Sequence, residues 1–189
     1  MYKVITPVST EPLTPTEAKL HLRVADTAED SLIISLMTAA REFCENITGR
    51  PFATQTFELI LSEFPACGYI ELPLPPLQSV ESVKYKDYAG TEATLDTSEY
   101  IVDTDSTLGR IQLAYGESWP SFTPYPSNPI RVRFTAGYVV LPNPLKQAML
   151  LLIGHWYANR ETILVGSTSK EIEFSVKALI SQYKVRWFE

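Results

Sequence analysis

Ile47-Thr48-Gly49-Arg50-Pro51-Phe52-Ala53-Thr54-Gln55-Thr56-Phe57-Glu58-Leu59-Ile60-Leu61 is the stretch in which the hydrophobic period of the chain changes. Before Gly49, apolar residues recur every three or four positions, the spacing of one helix face. From Gln55 onward they follow the period of two that marks a strand. Gly49 is free to adopt a left-handed helix cap and Pro51 cannot continue a helix, so the change of period coincides with a helix stop. One chain therefore contains a helical part and a β part, joined at about residue 51.

Working back from this point, Leu32, Ile33, Leu36, Met37, Ala40, Phe43, Cys44 and Ile47 form an amphipathic helix. Thr27-Ala28-Glu29-Asp30 opens it, with acidic residues at the positive end of the helix dipole. A shorter helix precedes it. Leu13-Thr14-Pro15-Thr16-Glu17 reads as a capping box, with Thr14 as cap, Pro15 at the first helical position and Glu17 at the third, and the helix runs to about Arg23.

Working forward, strands are expected at 55–61, 69–72, 79–85 (with one slip in its alternation), 91–95, 100–102, 110–114 and 130–135. Turns fall at Asp87-Tyr88-Ala89-Gly90 and Thr107-Leu108-Gly109. So many short strands in so few residues imply a small antiparallel sheet, sandwich or barrel. Asn143 as cap and Pro144 then restart a helix. Its residues Leu145, Ala148, Met149, Leu152, His155, Trp156 and Asn159 share a face, but Leu150, Leu151 and Ile153 lie elsewhere. A helix that is apolar nearly all round is covered on several sides, by its own core or by a neighbouring subunit. After the polar Gly166-Ser167-Thr168-Ser169 loop, Val176, Leu179, Ile180, Tyr183 and Trp187 give a short amphipathic helix ending in Arg186-Trp187-Phe188-Glu189.

The expected fold class is α+β: a helical bundle built from residues 1–51 and 139–189, with a β-rich lobe inserted at 52–138. The 189 residues are 45% hydrophobic and 20% charged, which is globular composition and excludes disorder along the whole chain. The formal charge of −6 disfavours tight binding to phosphate backbones. Cys44 and Cys67 alone make no disulfide framework and suit a reducing compartment. No apolar stretch approaches the roughly 20 residues that span a bilayer, and the N-terminus shows no secretory signal, so the chain is expected to be cytosolic when made, with no membrane partner.

Catalytic and metal chemistry find little to stand on. His21 and His155 are expected to be structural, with no HxxxH, HExxH or CxxC spacing to hold a metal. Ser167-Thr168-Ser169-Lys170 matches S-x-x-K only in letters, without the companion motifs. Asp103-Thr104-Asp105 opens like a calcium loop but lacks the later glycine and glutamate. Asn46-Ile47-Thr48 is a glycosylation sequon within a helix end. No phosphate-binding glycine motif is present. No catalytic, cofactor or metal residue is therefore assigned, and no cofactor is expected. The aromatic end of the chain is more informative, because large apolar groups near a terminus either pack back on their own bundle or insert into a partner.

An ordered set of segments carries a family resemblance. It comprises Leu13-Thr14, Glu17-Ala18-Lys19, His21-Leu22-Arg23, Ala39-Ala40-Arg41-Glu42, Glu45-Asn46, Thr48-Gly49-Arg50-Pro51 and Gln55-Thr56. It continues with Leu72-Pro73, Pro75 to Val80, Ser118-Trp119-Pro120, Phe134 to Tyr138, Ala148 to Leu152, Asn159-Arg160-Glu161, Val176 to Ile180 and Tyr183. This set resembles the phage head–tail connector (adaptor) proteins of the gp6-like, phiE125 gp8-like group.

The resemblance implies a structural protein of the virion neck, assembled in the host cytoplasm. It implies a homo-oligomeric ring, usually of twelve subunits, docked under the portal protein of a tailed phage or phage-like particle. Such a ring extends the DNA channel and offers a platform for the next head-completion (stopper) or tail protein. DNA passes through without sequence-specific binding, and twelve copies at −6 would carry about −72 charges, which keeps phosphates sliding. The long β-insertion departs from the shortest members, which are almost wholly helical. On this reading Tyr183, Arg186, Trp187 and Phe188 are the candidate portal-binding residues, and Leu36, Phe43, Leu145, Met149, Leu152 and Trp156 are the subunit-interface candidates. The alternatives are a tail-side structural component, for tail completion or the baseplate, and a small hydrolase with an unrecognised site.

Overall fold

The structure, a computed structural model, describes residues 1–160 and 175–185. Helix α1 spans Pro15–Leu22 and α2 spans Asp30–Thr48. The strands are β1 (Tyr2–Thr6), β2 (Gln55–Leu61), β3 (Tyr69–Glu71), β4 (Leu77–Lys86), β5 (Glu92–Thr94), β6 (Tyr100–Asp103), β7 (Arg110–Leu113) and β8 (Ile130–Ala136). Helix α3 spans Asn143–Ala158, residues 175–180 are helical, and a 3-10 turn covers Ser181–Tyr183. The fold is α+β. The chain divides into two compact units: Met1–Ser9 with Thr54–Tyr138, and Thr10–Ala53 with Val139–Glu189.

The first unit holds two antiparallel sheets, ordered β1-β2-β8-β4-β5 and β3-β7-β6. Alternation decides which side chains enter the core. Phe57 and Leu59 of β2, Val83 of β4, and Ile130, Val132, Phe134 and Ala136 of β8 point inward, meeting Ile70, Tyr100 and Ile111 from the smaller sheet in one cluster. Each fully buried large side chain in such a cluster stabilises by about 1.5–3 kcal/mol relative to leaving it in water.

The slip in the alternation of β4 is a bulge. The register of β4 against β8 shifts between Val80 and Ser82, leaving Glu81 as the extra residue. Its carboxylate accepts hydrogen bonds from the hydroxyls of Thr56 (3.4 Å) and Thr135 (3.1 Å) on the outer face. Gly109 is required by close approach, since a Cβ there would lie 2.4 Å from the Leu77 side chain.

Strand β1 is absent from the sequence expectation, which places residues 1–51 in the helical part. In the structure Tyr2–Thr6 pairs with β2, in the register Tyr2↔Leu59, Lys3↔Glu58 and Val4↔Phe57, and so joins the larger sheet. The long segment between β7 and β8 is pinned by aromatic rings: Phe64 stacks on Trp119 at 4.7 Å, and the Trp119 indole N–H donates to the Pro65 carbonyl at 3.0 Å.

In the second unit the capping box of α1 is complete. Thr14 accepts from the Glu17 N–H, and the Glu17 carboxylate accepts from the Thr14 N–H. That carboxylate is held below its usual range by the Thr14 backbone bond and by Lys146. Helix α2 ends as expected at Gly49, whose φ of 69° is the left-handed cap. At the start of α3 the cap position belongs to Pro142, and Asn143 is already helical, one residue earlier than expected.

Candidate functional site

Helix α2 carries more apolar positions than its own core uses. Ile33, Met37, Ala40, Cys44 and Thr48 form the buried stripe. About 100° round the helix, at the same spacing, runs a second stripe of Leu32, Leu36, Ala39, Phe43 and Ile47. Of these, Leu32, Leu36 and Ile47 are half-buried, Ala39 is exposed, and Phe43 is 41% exposed. Trp156 of α3, itself half-buried, meets Phe43 edge to face with ring centroids 6.0 Å apart. The pair forms a rigid aromatic step bordering the open stripe.

Helix α3 packs against both α1 and α2. Leu145 and Met149 are fully buried and Leu152 is 5% exposed, so these three interface candidates lie inside the unit, correcting their assignment to a surface contact. Their cover comes from the chain's own helices. Of the six candidates, Leu36, Phe43 and Trp156 retain accessible surface. His21 lies where α1 passes Gly154 of α3, its ring 3.3 Å from where a Cβ would be. His155 shares a 3.2 Å contact with the Asn159 amide.

A buried ion cluster stiffens α2. Arg41, 7% exposed, donates from Nε to Glu11 at 2.8 Å and from Nη1 to Glu45 at 2.8 Å, and it also faces Glu42 at 3.5 Å. Glu45 in addition accepts the Phe52 N–H at 2.7 Å. Burial pushes the Glu45 carboxyl up, against the pull of that N–H and of Arg41. One guanidinium thus ties the residues before α1 and after α2 to the α2 surface. Burial also pushes the Cys44 thiol up to about 12, leaving it a core residue rather than a nucleophile. At the other end, the Glu29 carboxylate takes the Tyr157 hydroxyl and Arg160 (2.6 Å), joining the start of α2 to the end of α3. Among the described residues no group of His, Cys, Asp and Glu could hold a metal ion.

The chain's last described residues lie along the end of α2. Val176 and Ile180 are buried. The expected single helix reaching Trp187 is not what forms: after the 3-10 turn, Lys184 is extended at φ −63°, ψ 125°. The Arg50 Nε donates to the Tyr183 carbonyl at 2.6 Å, and the Val185 N–H donates to the Thr48 carbonyl at 2.8 Å. That carbonyl belongs to the last turn of α2, where acceptors lack intrahelical partners. Val185 is 6% exposed and packs beside Gly49. Tyr183 is half-buried here, and Arg186, Trp187 and Phe188 lie outside the described residues.

One unit is a sandwich of two sheets, and in the other, among the described residues, an aromatic-bordered stripe of α2 keeps accessible surface. The chain belongs to the head completion protein family, whose model matches residues 12–177, and its role is that of a head–tail connector. No match is found among the curated proteins. Among solved structures it is similar to a chain in the neck of an empty gene transfer agent (GTA) particle computed with C6 symmetry. The TM-score is 0.81 at 27% identity, covering 100% of this chain and 97% of that one. The same values relate it to a chain in the virion of a native GTA particle. A chain in the neck of the native GTA particle computed with C12 symmetry aligns at TM-score 0.79 and 25% identity, over 100% and 97% of the two chains.

Proposed function

We propose that this chain forms a closed ring in the neck of a tailed-phage or phage-like particle. The ring sits beneath the portal, extends the DNA channel and receives the next head-completion or tail protein. The role is structural rather than catalytic. The observation that carries the reading is the open α2 stripe on a chain whose fold matches neck proteins over its whole length. A similar neck computed with C12 symmetry supports a dodecamer.

In a ring each subunit offers two different surfaces to its two neighbours. Leu36 and Phe43, with Trp156, form one of them. Tyr183, Arg186, Trp187 and Phe188 bind the portal, and Arg50 holds the Tyr183 backbone at the end of α2. Phe43→Asp is expected to leave the isolated subunit folded, with an unchanged circular-dichroism melt, and to abolish ring assembly in particles. Leu145→Asp is expected to unfold the subunit. A Phe43→Asp subunit that still builds intact necks overturns the assignment of the α2 stripe.

A further inference from the structure

The outer faces of the two sheets in the first unit carry opposite charge. Alternation sends Lys3, Arg131, Arg133, Lys84 and Lys86 to the outer face of the five-stranded sheet, where register puts them side by side: Lys3↔Glu58, Glu58↔Arg133 and Lys84↔Arg131. The carboxylates among them are Glu58, Glu81 and Glu92. Glu58, with its side chain 6% exposed, is shared by Lys3 at 2.9 Å, Arg133 at 3.4 Å and Arg131 at 3.5 Å. One carboxylate cannot neutralise three cations, and both arginines remain close to half exposed. Lys84 pairs with Glu92 at 2.8 Å on the surface.

The β3-β7-β6 sheet shows the reverse. Its outward positions and adjoining turns hold Glu71, Asp96, Glu99, Asp103 and Asp105, with Arg110 as the cation among them, 3.2 Å from Glu71. Ile101 projects from the same face, 60% exposed. Five of the six basic residues of this unit thus lie on one sheet face, although the unit as a whole is acidic.

We propose that the basic face of the five-stranded sheet docks the acidic β3-β7-β6 face of a second copy of this chain, so that the sandwiches of successive subunits join head to tail. The inference rests on the ring reading above and adds a second subunit contact to it. A ring needs two unlike, mutually complementary surfaces on each subunit, and opposite faces of opposite sign supply them. Charge complementarity favours a second copy over nucleic acid. Glu58, Glu81 and Glu92 interrupt the basic face where a phosphate backbone would meet repulsion, whereas a protein face carrying Arg110 among its acids meets both signs. Exposed pairs of this kind are screened within about 10 Å at 0.1 M salt, so this contact weakens as salt rises.

The test reverses each face separately and then together, in assembled particles. Lys84→Glu with Arg131→Glu reverses the basic face and leaves Lys3 and Arg133 on Glu58. Glu99→Lys with Asp105→Lys reverses the acidic face and leaves the turn-capping carboxylates of Asp96 and Asp103 in place. Each double variant alone is expected to reduce particles with intact necks at least tenfold while the isolated subunit still folds by circular dichroism, with a lowered melt for the Arg131 variant, which loses its bond to Glu58. Producing the two variants together restores complementarity at every contact of an alternating ring, and intact necks return. The proposal is overturned if either double variant alone builds wild-type necks, or if co-production fails to rescue. It is also overturned if Lys84→Glu with Arg131→Glu keeps the ring but loses retention of packaged DNA, which makes the face a phosphate contact. Wild-type necks that contain no ring of this chain would instead sink the ring reading itself.

Discussion

In β8 every second residue enters the core (Ile130, Val132, Phe134 and Ala136), and the residues between them, Arg131, Arg133 and Thr135, are charged or hydroxylated. In α2 the bookkeeping does not close: one apolar stripe is buried and a second, through Leu36 and Phe43, stays partly open beside Trp156. The strand's hydrophobicity is used up by its own chain, and among the described residues the helix's is not. A sandwich closed in this way holds itself together and presents charge. A helical unit with surplus apolar surface offers what the proposed ring contact would cover.

The sharpest break of this contrast is a pair of aromatic truncations. Phe134→Ala removes a fully buried ring and is expected to cost about 3–5 kcal/mol of stability, read as a large fall in the denaturation midpoint. Phe43→Ala is expected to cost under about 1 kcal/mol in the isolated subunit, because much of its ring is already in water. Equal losses at the two positions would mean that α2 has no spare stripe.

Arg41→Ala comes next. It leaves Glu11 and Glu45 facing one another in a largely buried setting and is expected to cost about 3 kcal/mol by chemical denaturation. Arg41→Met restores volume without the charge and is expected to remain destabilised while the two glutamates persist.

Smaller again is the effect of the C-terminus. Truncation after Tyr183 removes Val185 and its bond to the Thr48 carbonyl, an expected loss of about 2 kcal/mol measured by thermal melting. Truncation after Val185 is expected to leave the melt unchanged while preventing attachment to portal-containing heads. If it lowers the melt as much as the longer truncation, the last four residues serve the fold rather than a partner.

Glu58→Gln is the smallest of the set, about 1 kcal/mol at neutral pH. Burial disfavours the Glu58 charge, but Lys3, Arg131 and Arg133 prevail and hold the carboxyl below its usual range. The folded chain therefore stays deprotonated at pH values where the unfolded chain has begun to take up a proton. The resulting stability is fully present above the ordinary carboxylate range and is lost as pH falls through the lowered folded value. The Gln variant is expected to show a shallower acid unfolding curve than wild type.

Much of the architecture was legible in local pattern. The strands from β2 to β8 declared themselves by alternation, and even the bulge at Glu81 showed as a slip in period. The capping box at Thr14 and the stop at Gly49 are short-range chemistry that a sequence displays openly. Strand β1 was not legible, because Tyr2–Thr6 becomes a strand only by pairing with β2, far along the chain. The same holds for the extended Lys184 and for Val185, whose N–H bonds a carbonyl on α2. Leu145, Met149 and Leu152 misled for a different reason: a helix that is apolar all round must be covered, but its pattern does not say whether the cover belongs to its own chain or to a neighbour. The open stripe on α2 was visible in part, as Leu36 and Phe43, although its separation from the buried stripe by one residue needed the fold to reveal it.

The most direct test is a symmetry-averaged electron-microscopy reconstruction of the neck of particles built with this chain. The expected result is a twelve-membered ring in which Leu36, Phe43 and Trp156 of each subunit are buried against the next. A neck in which these three residues face solvent, or in which this chain forms no ring, would contradict the assignment of α2 as the contact that joins one subunit to another.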